Sequence, residues 1–267
     1  MRIYLNRNWN FAGKSVDIPH TVKETPFHYF DESEYQMVST YQKEIDVPNE
    51  WKGKQVLLTF EGVAHVCEVF LNGEKIGEHR CGYTAFTVNL KNLIYGEKNN
   101  LLVKVNSRED LNVPPFGHVI DYMTYGGIYR DVVFIEVENC HFDLLKDGTE
   151  SVFVTPHCSG KTRLDVFPVD MDENTIVTIE LKDAKGNIVG SAGAKATEHM
   201  DFIIDVKEPH LWDGMAEPYL YTSVAKLVQG ETVVDTVEVS YGYRSFRVDV
   251  ETGFWLNGKN VPLRGVS

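Results

Sequence analysis

QVLLTFEGVAHVCEVFLNGEKIGEH (residues 55–79) is the stretch that decides the fold. Val56, Leu58 and Phe60 recur at every second position, with Gln55, Thr59 and Glu61 nearer the other face, the period of a strand with one buried side. Asn72-Gly73 then supplies the dipeptide that best tolerates positive φ at both central turn positions, so residues 66–79 read as a hairpin. Outward from here, helical periodicity is almost absent. Gly53, Gly62, Gly82, Gly96 and Gly126-Gly127 punctuate short runs of β-branched and aromatic residues at intervals that fit a β-sandwich. The chain reads as all-β, and its first sandwich closes near VVFIEVENC (132–140).

A second set of strands begins after LLKDGTE (144–150), which reads as a polar hinge. Its runs are SVFVTPHC (151–158), TRLDVFPVD (162–170), TIVTIELKDAKGNIVGSA (175–192), DFIIDV (201–206), YLYTSVAKLV (219–228) and TVVDTVEVSYGYRSF (232–246). Roughly seven short strands in about 105 residues is the immunoglobulin-like pattern. The last stretch, GFWLNGKNVPLRGVS (253–267), carries another Asn-Gly hairpin, flanked by Phe254, Leu256, Val261 and Leu263. It ends on an apolar strand, which leads us to expect a piece of a longer polypeptide.

Lys+Arg 26 against Asp+Glu 39 gives a net charge of −13, no electrostatic reason to seek phosphate backbones or anionic membranes. No apolar run approaches the ~20 residues of a membrane helix, and the first twenty residues hold no signal-type core. Cys67, Cys81, Cys140 and Cys158 lie far apart without C-x-x-C spacing, which suits reduced thiols better than a disulfide frame or zinc site. A cytoplasmic location is the expectation that follows.

Several segments, taken in order, resemble glycoside hydrolase family 2, the family of β-galactosidases, β-glucuronidases and β-mannosidases. DIPHT (17–21), YQKEIDVPNEWKGKQVLLTFEGVAHVCEVFLNGEKIGEHRCGYTAFTVNL (41–90) and YGGIYRDVVF (125–134) look like its sugar-binding domain. EPHLWDGMAEPYLYTSVAKLV (208–228) and YGYRSFRVD (241–249) look like its immunoglobulin-like domain, and residues 253–267 like the start of its catalytic barrel. The resemblance implies a jelly-roll-type sandwich over 1–141, an immunoglobulin-like sandwich over 142–249, and the first strands of a missing (β/α)8 barrel over 250–267. Strands made to pack on that barrel would be loosely held without it.

Retaining glycosidases need two carboxyl groups ~5–5.5 Å apart. The family places both on barrel strands, so the resemblance puts them beyond Ser267. The family sets its acid/base Glu after an Asn, but Asn49-Glu50 follows Pro48 in a turn and reads as solvated. In PPFGHVIDYMTYGGIYRDV (114–132), Asp121 sits among Tyr122, Tyr125 and Tyr129, and a carboxylate beside aromatic rings suits a sugar. The plain alternative is an Asp capping its own turn. The resemblance implies that Asp121 contacts a substrate hydroxyl and, in some β-galactosidases, a sodium ion. His118 is a second candidate for the same cleft, with a plain loop histidine as its alternative. The other histidines (20, 28, 65, 79, 141, 157, 199 and 210) give no metal-ligand pattern. Trp212 reads as a packing anchor, and Arg244 as a cation in a structural ion pair. No phosphate loop and no G-x-S-x-G elbow occurs.

The leading expectation is therefore the non-catalytic N-terminal region of a β-galactosidase, with a β-linked saccharide as partner and a homo-oligomeric full-length enzyme. No cofactor is expected in this segment, and sodium, with magnesium, is expected in the full-length enzyme. A β-glucuronidase or β-mannosidase is the alternative within the family. A freestanding carbohydrate-binding module and a structural sandwich pair are the alternatives outside it.

Overall fold

Asn72 and Gly73 stand at φ 49° and 88°, the paired positive values that a two-residue hairpin turn needs, and they join strands Val66–Leu71 and Glu74–Arg80 in antiparallel register. Asn257-Gly258 turns the chain the same way between Gly253–Leu256 and Lys259–Asn260. The computed structural model describes residues 1–24, 31–114, 116 and 125–265. Its contacts divide the chain into one unit of residues 1–139 with 144–149, and another of 140–143 with 150–267.

The first unit is a sandwich of a six-stranded and a four-stranded sheet. The larger runs Lys14–Val16, Trp9–Phe11, Val38–Asp46, Lys98–Asn106, Val66–Leu71 and Glu74–Arg80; the smaller runs Arg2–Tyr4, Val132–Val137, Gln55–Phe60 and Phe86–Asn89. Alternation decides which side chains enter: along Val38–Asp46, Ser39, Tyr41 and Ile45 are buried while Thr40, Gln42 and Glu44 are exposed. Trp9, Tyr41, Val69 and Val103 from the larger sheet meet Leu58 and Phe60 from the smaller in one core.

Alternation misses one position. Leu57, on the opposite face from Leu58, is as buried as its neighbours, because Leu144 returns to cover it together with Val133 and Ile135. The segment read as a polar hinge thus carries a core residue at its start. The boundary expected between 141 and 142 falls within the short strand His141–Phe142, which pairs with Pro168–Val169.

Glu136 lies buried in the smaller sheet, where its carboxylate meets Lys54 and the Met1 amine. Burial is the largest single influence and raises its pKa, yet the hydrogen bonds and positive charges of Lys54 and the Met1 amine together outweigh it, so the carboxyl titrates below its usual range. A depressed folded-state value contributes stability above the unfolded pKa, and that contribution is lost as pH falls through the folded one. Glu136→Gln is expected to flatten the acid limb of urea stability below about pH 4.3 relative to the unchanged chain. Parallel acid limbs would contradict this.

The second unit packs Val152–Pro156, Lys161–Val166 and Met200–Asp205 against Ile188–Lys195, Thr175–Lys182, Tyr221–Gln229 and Thr232–Tyr241, the three-plus-four arrangement of an immunoglobulin-like sandwich. Its core holds Tyr243 at 0% exposure, with the Tyr243 hydroxyl 2.5 Å from that of buried Thr162. Tyr243→Phe leaves the buried Thr162 hydroxyl with only the Gly160 carbonyl, at 3.5 Å. We expect a loss of about 1–3 kcal/mol in urea unfolding, whereas an unchanged midpoint would mean the pair contributes nothing.

Residues 253–260 form a hairpin with contacts to Phe246–Asp249, Ser245 and Trp212. Gly253–Leu256 pairs with Phe246–Asp249, and Asn257 accepts from the Ser245 amide at 3.0 Å and donates to the Trp212 carbonyl at 2.9 Å. No helix among the described residues is long and apolar enough to cross a membrane.

Candidate functional site

The segment that carries His118 and Asp121 leaves and rejoins the first sandwich at two roots. Both residues, with Pro115, Gly117 and Tyr122, lie outside the described residues, so the site is defined here by what holds those roots.

At the first root, Asp110 and Val113 form an antiparallel bridge around a turn in which Asn112 donates its amide to Asp110 Oδ1 at 2.7 Å. Phe116 N–H donates to the Val113 carbonyl at 2.7 Å, and Gly82 N–H to the Pro114 carbonyl at 3.1 Å. At the second root, Gly127–Ile128 pairs with Val63–Ala64. His20 and Val22, from the DIPHT segment and just beyond it, donate their amides to the Ile128 and Gly126 carbonyls at 2.8 and 2.9 Å.

Two glycines make this root. Gly127 has φ 114° and a Cβ there would lie 2.6 Å from the Tyr41 hydroxyl, while one at Gly126 would lie 2.6 Å from Ser107 Oγ. Sequence reasoning took this pair as a bend, but close approach matters as much. Ser107 Oγ donates to the Tyr35 carbonyl at 2.5 Å, tying the strand Lys98–Asn106 to residues 35–37 beside the root.

His20 Nδ1 is 2.8 Å from the Tyr41 hydroxyl, which also takes the Ile128 amide. Desolvation lowers the His20 pKa, so its ring is neutral at neutral pH, and burial pushes Tyr41 far above its ordinary value. His65 follows Ala64 directly and is 3% exposed, with neither ring nitrogen hydrogen-bonded among the described residues. Desolvation lowers its pKa too. Its Nδ1 lies 2.7 Å from where a Gly82 Cβ would stand, and Gly82 is the residue that holds the Pro114 carbonyl. The Tyr129 hydroxyl donates to the Gly82 carbonyl, and the Arg130 guanidinium lies 5.3 Å over the Tyr129 ring while donating to the Tyr83 carbonyl at 3.2 Å.

Of the tyrosines expected around Asp121, Tyr129 is therefore spent on the fold and Tyr125 is exposed. Glu50 stands exposed in the turn Asn49–Trp51. Arg244 lies over the Trp212 ring at 5.2 Å, a cation–π contact where an ion pair was expected, and Trp212 is half-buried. All four cysteines are free; Cys67 and Cys140 are buried, Cys81 and Cys158 only partly. Among the described residues no group of three His, Cys, Asp or Glu could hold a metal ion. The arrangement can position a loop and present backbone groups to a ligand; the neutral imidazoles and tyrosines at the roots offer no bond-breaking machinery. His20 lies in the DIPHT segment, yet nothing in the sequence marked it as a residue of the site. His65 had no sequence signal, because nothing local marks a histidine whose ring is buried by residues far along the chain.

Residues 3–137 match the domain family described as the sugar binding domain of glycosyl hydrolases family 2, and residues 149–244 match a second domain of glycosyl hydrolases family 2. A β-galactosidase of Thermoanaerobacter pseudethanolicus is 34% identical over 264 residues, covering 94% of this chain and 34% of that protein. A β-glucuronidase of Bacteroides fragilis is 33% identical over 292 residues, covering 99% of this chain and 41% of that protein. Among solved structures, a Bacteroides uniformis β-glucuronidase superposes with a TM-score of 0.85 at 26% identity, covering 100% of this chain and 35% of the other. The chain thus spans well under half the length of these relatives.

Proposed function

This chain belongs to glycosyl hydrolase family 2, and from that premise we propose that it is the non-catalytic N-terminal region of a retaining glycosidase acting on terminal β-galactosides. The observation that carries the reading is the pair of family domains, in order, filling residues 3–137 and 149–244 of a chain that spans 34% of a β-galactosidase relative. The two carboxyl groups that perform the displacement, one as acid/base and one as nucleophile, belong to the rest of such an enzyme.

In this reading the first sandwich forms one wall of the active site. The braced roots around Gly82, Gly126 and Ile128 hold the segment 117–124 so that Asp121 accepts a hydrogen bond from a substrate hydroxyl, with His118 lining the same cleft. The second sandwich braces the catalytic barrel and supports a homo-oligomer. Sodium enters the proposal only through Asp121, and magnesium only as an ion of the full-length enzyme. The described residues offer no cluster of three His, Cys, Asp or Glu for a metal, and the role given to this chain does not require one.

A second reading, a β-glucuronidase, has support of nearly equal weight, since relatives of the two names are 34% and 33% identical to this chain. Specificity constants of the longer polypeptide on nitrophenyl β-galactoside, β-glucuronide and β-mannoside separate them. We expect the galactoside to lead by about tenfold or more, a difference of about 1.4 kcal/mol in transition-state stabilisation. A lead for the glucuronide would select the second reading, and no turnover of any of the three would overturn both.

A further inference from the structure

A cleft of about 960 Å³ lies on the outward face of the six-stranded sheet, within the size range of ligand sites. Strand register builds its floor: Asn10 stands opposite Gln42, Gln42 opposite Leu102, and Leu102 opposite Phe70. With strands ~4.8 Å apart, these four positions make a row of roughly 14 Å, the span of about three sugar units. One end of the row is carboxamide and the other apolar. Gln42 is exposed, Leu102 and Phe70 are half-buried, and Asn100 adds a further carboxamide one register step away, opposite Glu44. Among the described residues the Gln42 carboxamide takes no hydrogen-bond partner, and the Asn10 carboxamide uses only its oxygen, on the Gly13 amide at 3.0 Å.

Charge narrows the ligand. The two lysines among the described lining residues are already engaged, Lys43 Nζ donating to the Arg7 carbonyl at 2.5 Å and Lys104 pairing with Glu68 at 3.3 Å. Lys43 keeps its charge, since a carbonyl does not neutralise an ammonium, but on a chain of net charge −13 one such cation is a small offset to the repulsion an anionic ligand would meet. Carboxamides both donate and accept, which matches hydroxyl groups that do the same, and an aromatic–aliphatic surface matches the C–H face of a pyranose.

We propose that this cleft binds a neutral oligosaccharide, with Asn10, Gln42 and Asn100 reading its hydroxyls and Phe70 and Leu102 carrying a sugar ring. Binding here is independent of hydrolysis, so it stands or falls apart from the glycosidase reading. The test is titration of the isotope-labelled 267-residue chain with cellotetraose, β-1,4-galactotetraose and xylotetraose, with tetragalacturonate as the anionic control. At least one neutral probe is expected to shift the amides of residues 8–10, 42–44 and 100–104 saturably, with Kd about 1 mM or tighter. At least one of Gln42→Ala and Phe70→Ala is expected to weaken it by about tenfold or more. Gln42 is exposed, so its replacement leaves the fold intact even if Phe70→Ala does not. No saturable shift with any neutral probe, equal binding of tetragalacturonate, or affinity unchanged in both variants would overturn the proposal.

Discussion

Purified free of host glycosidases, the 267-residue chain is expected to fold and to release no nitrophenol from nitrophenyl β-galactoside or β-glucuronide above the buffer rate. Cleaving a glycosidic bond with retention needs a carboxylate to attack the anomeric carbon and a second carboxyl group to protonate the leaving oxygen. Hydrogen-bond donors that hold a sugar cannot replace that covalent chemistry. The braces around the candidate site are backbone carbonyls, the hydroxyls of Tyr41, Tyr129 and Ser107, and the neutral ring of His20, none of which can take either role. Turnover that survives rigorous purification and disappears in Glu50→Gln would overturn this account, since Glu50 is the one residue whose Asn-Glu setting imitates the family's acid/base pair.

The strands were legible because their signals are local. Period-two alternation through Val56, Leu58 and Phe60 and the Asn72-Gly73 turn need only neighbouring residues to specify them, and both appear as read. The departures share one cause, burial supplied from far along the sequence. Leu57 is buried because Leu144 returns to it. Arg244 turned to an indole where a carboxylate was expected, since sequence marks a cation but not the group that faces it. The candidate site was legible only in part. Gly126-Gly127 announced itself as a bend, whereas His20, His65 and Ser107 are set by contacts that composition and spacing do not encode.

The same roots give Asp121 its expected effect, the larger of the two on a folded enzyme. A carboxylate that accepts a substrate hydroxyl, or that neutralises a sodium ion beside it, loses a charge-assisted hydrogen bond when Asp121 becomes Asn, while shape is kept. Such bonds contribute about 1.5–3 kcal/mol, so the specificity constant of the longer polypeptide is expected to fall by roughly ten- to a hundredfold. Folding should barely change, because the roots on either side are held by Gly82, Val22 and His20 through backbone hydrogen bonds that do not involve Asp121. A turn-capping Asp would act the other way, lowering the melting temperature and sparing the kinetics of whatever remained folded. The decisive measurement is therefore paired: steady-state kinetics on nitrophenyl β-galactoside at fixed sodium, and thermal unfolding, both on Asp121→Asn in the longer polypeptide. The account predicts a specificity constant lowered roughly ten- to a hundredfold at an unchanged melting temperature; an unchanged specificity constant with a clearly lowered melting temperature would contradict it.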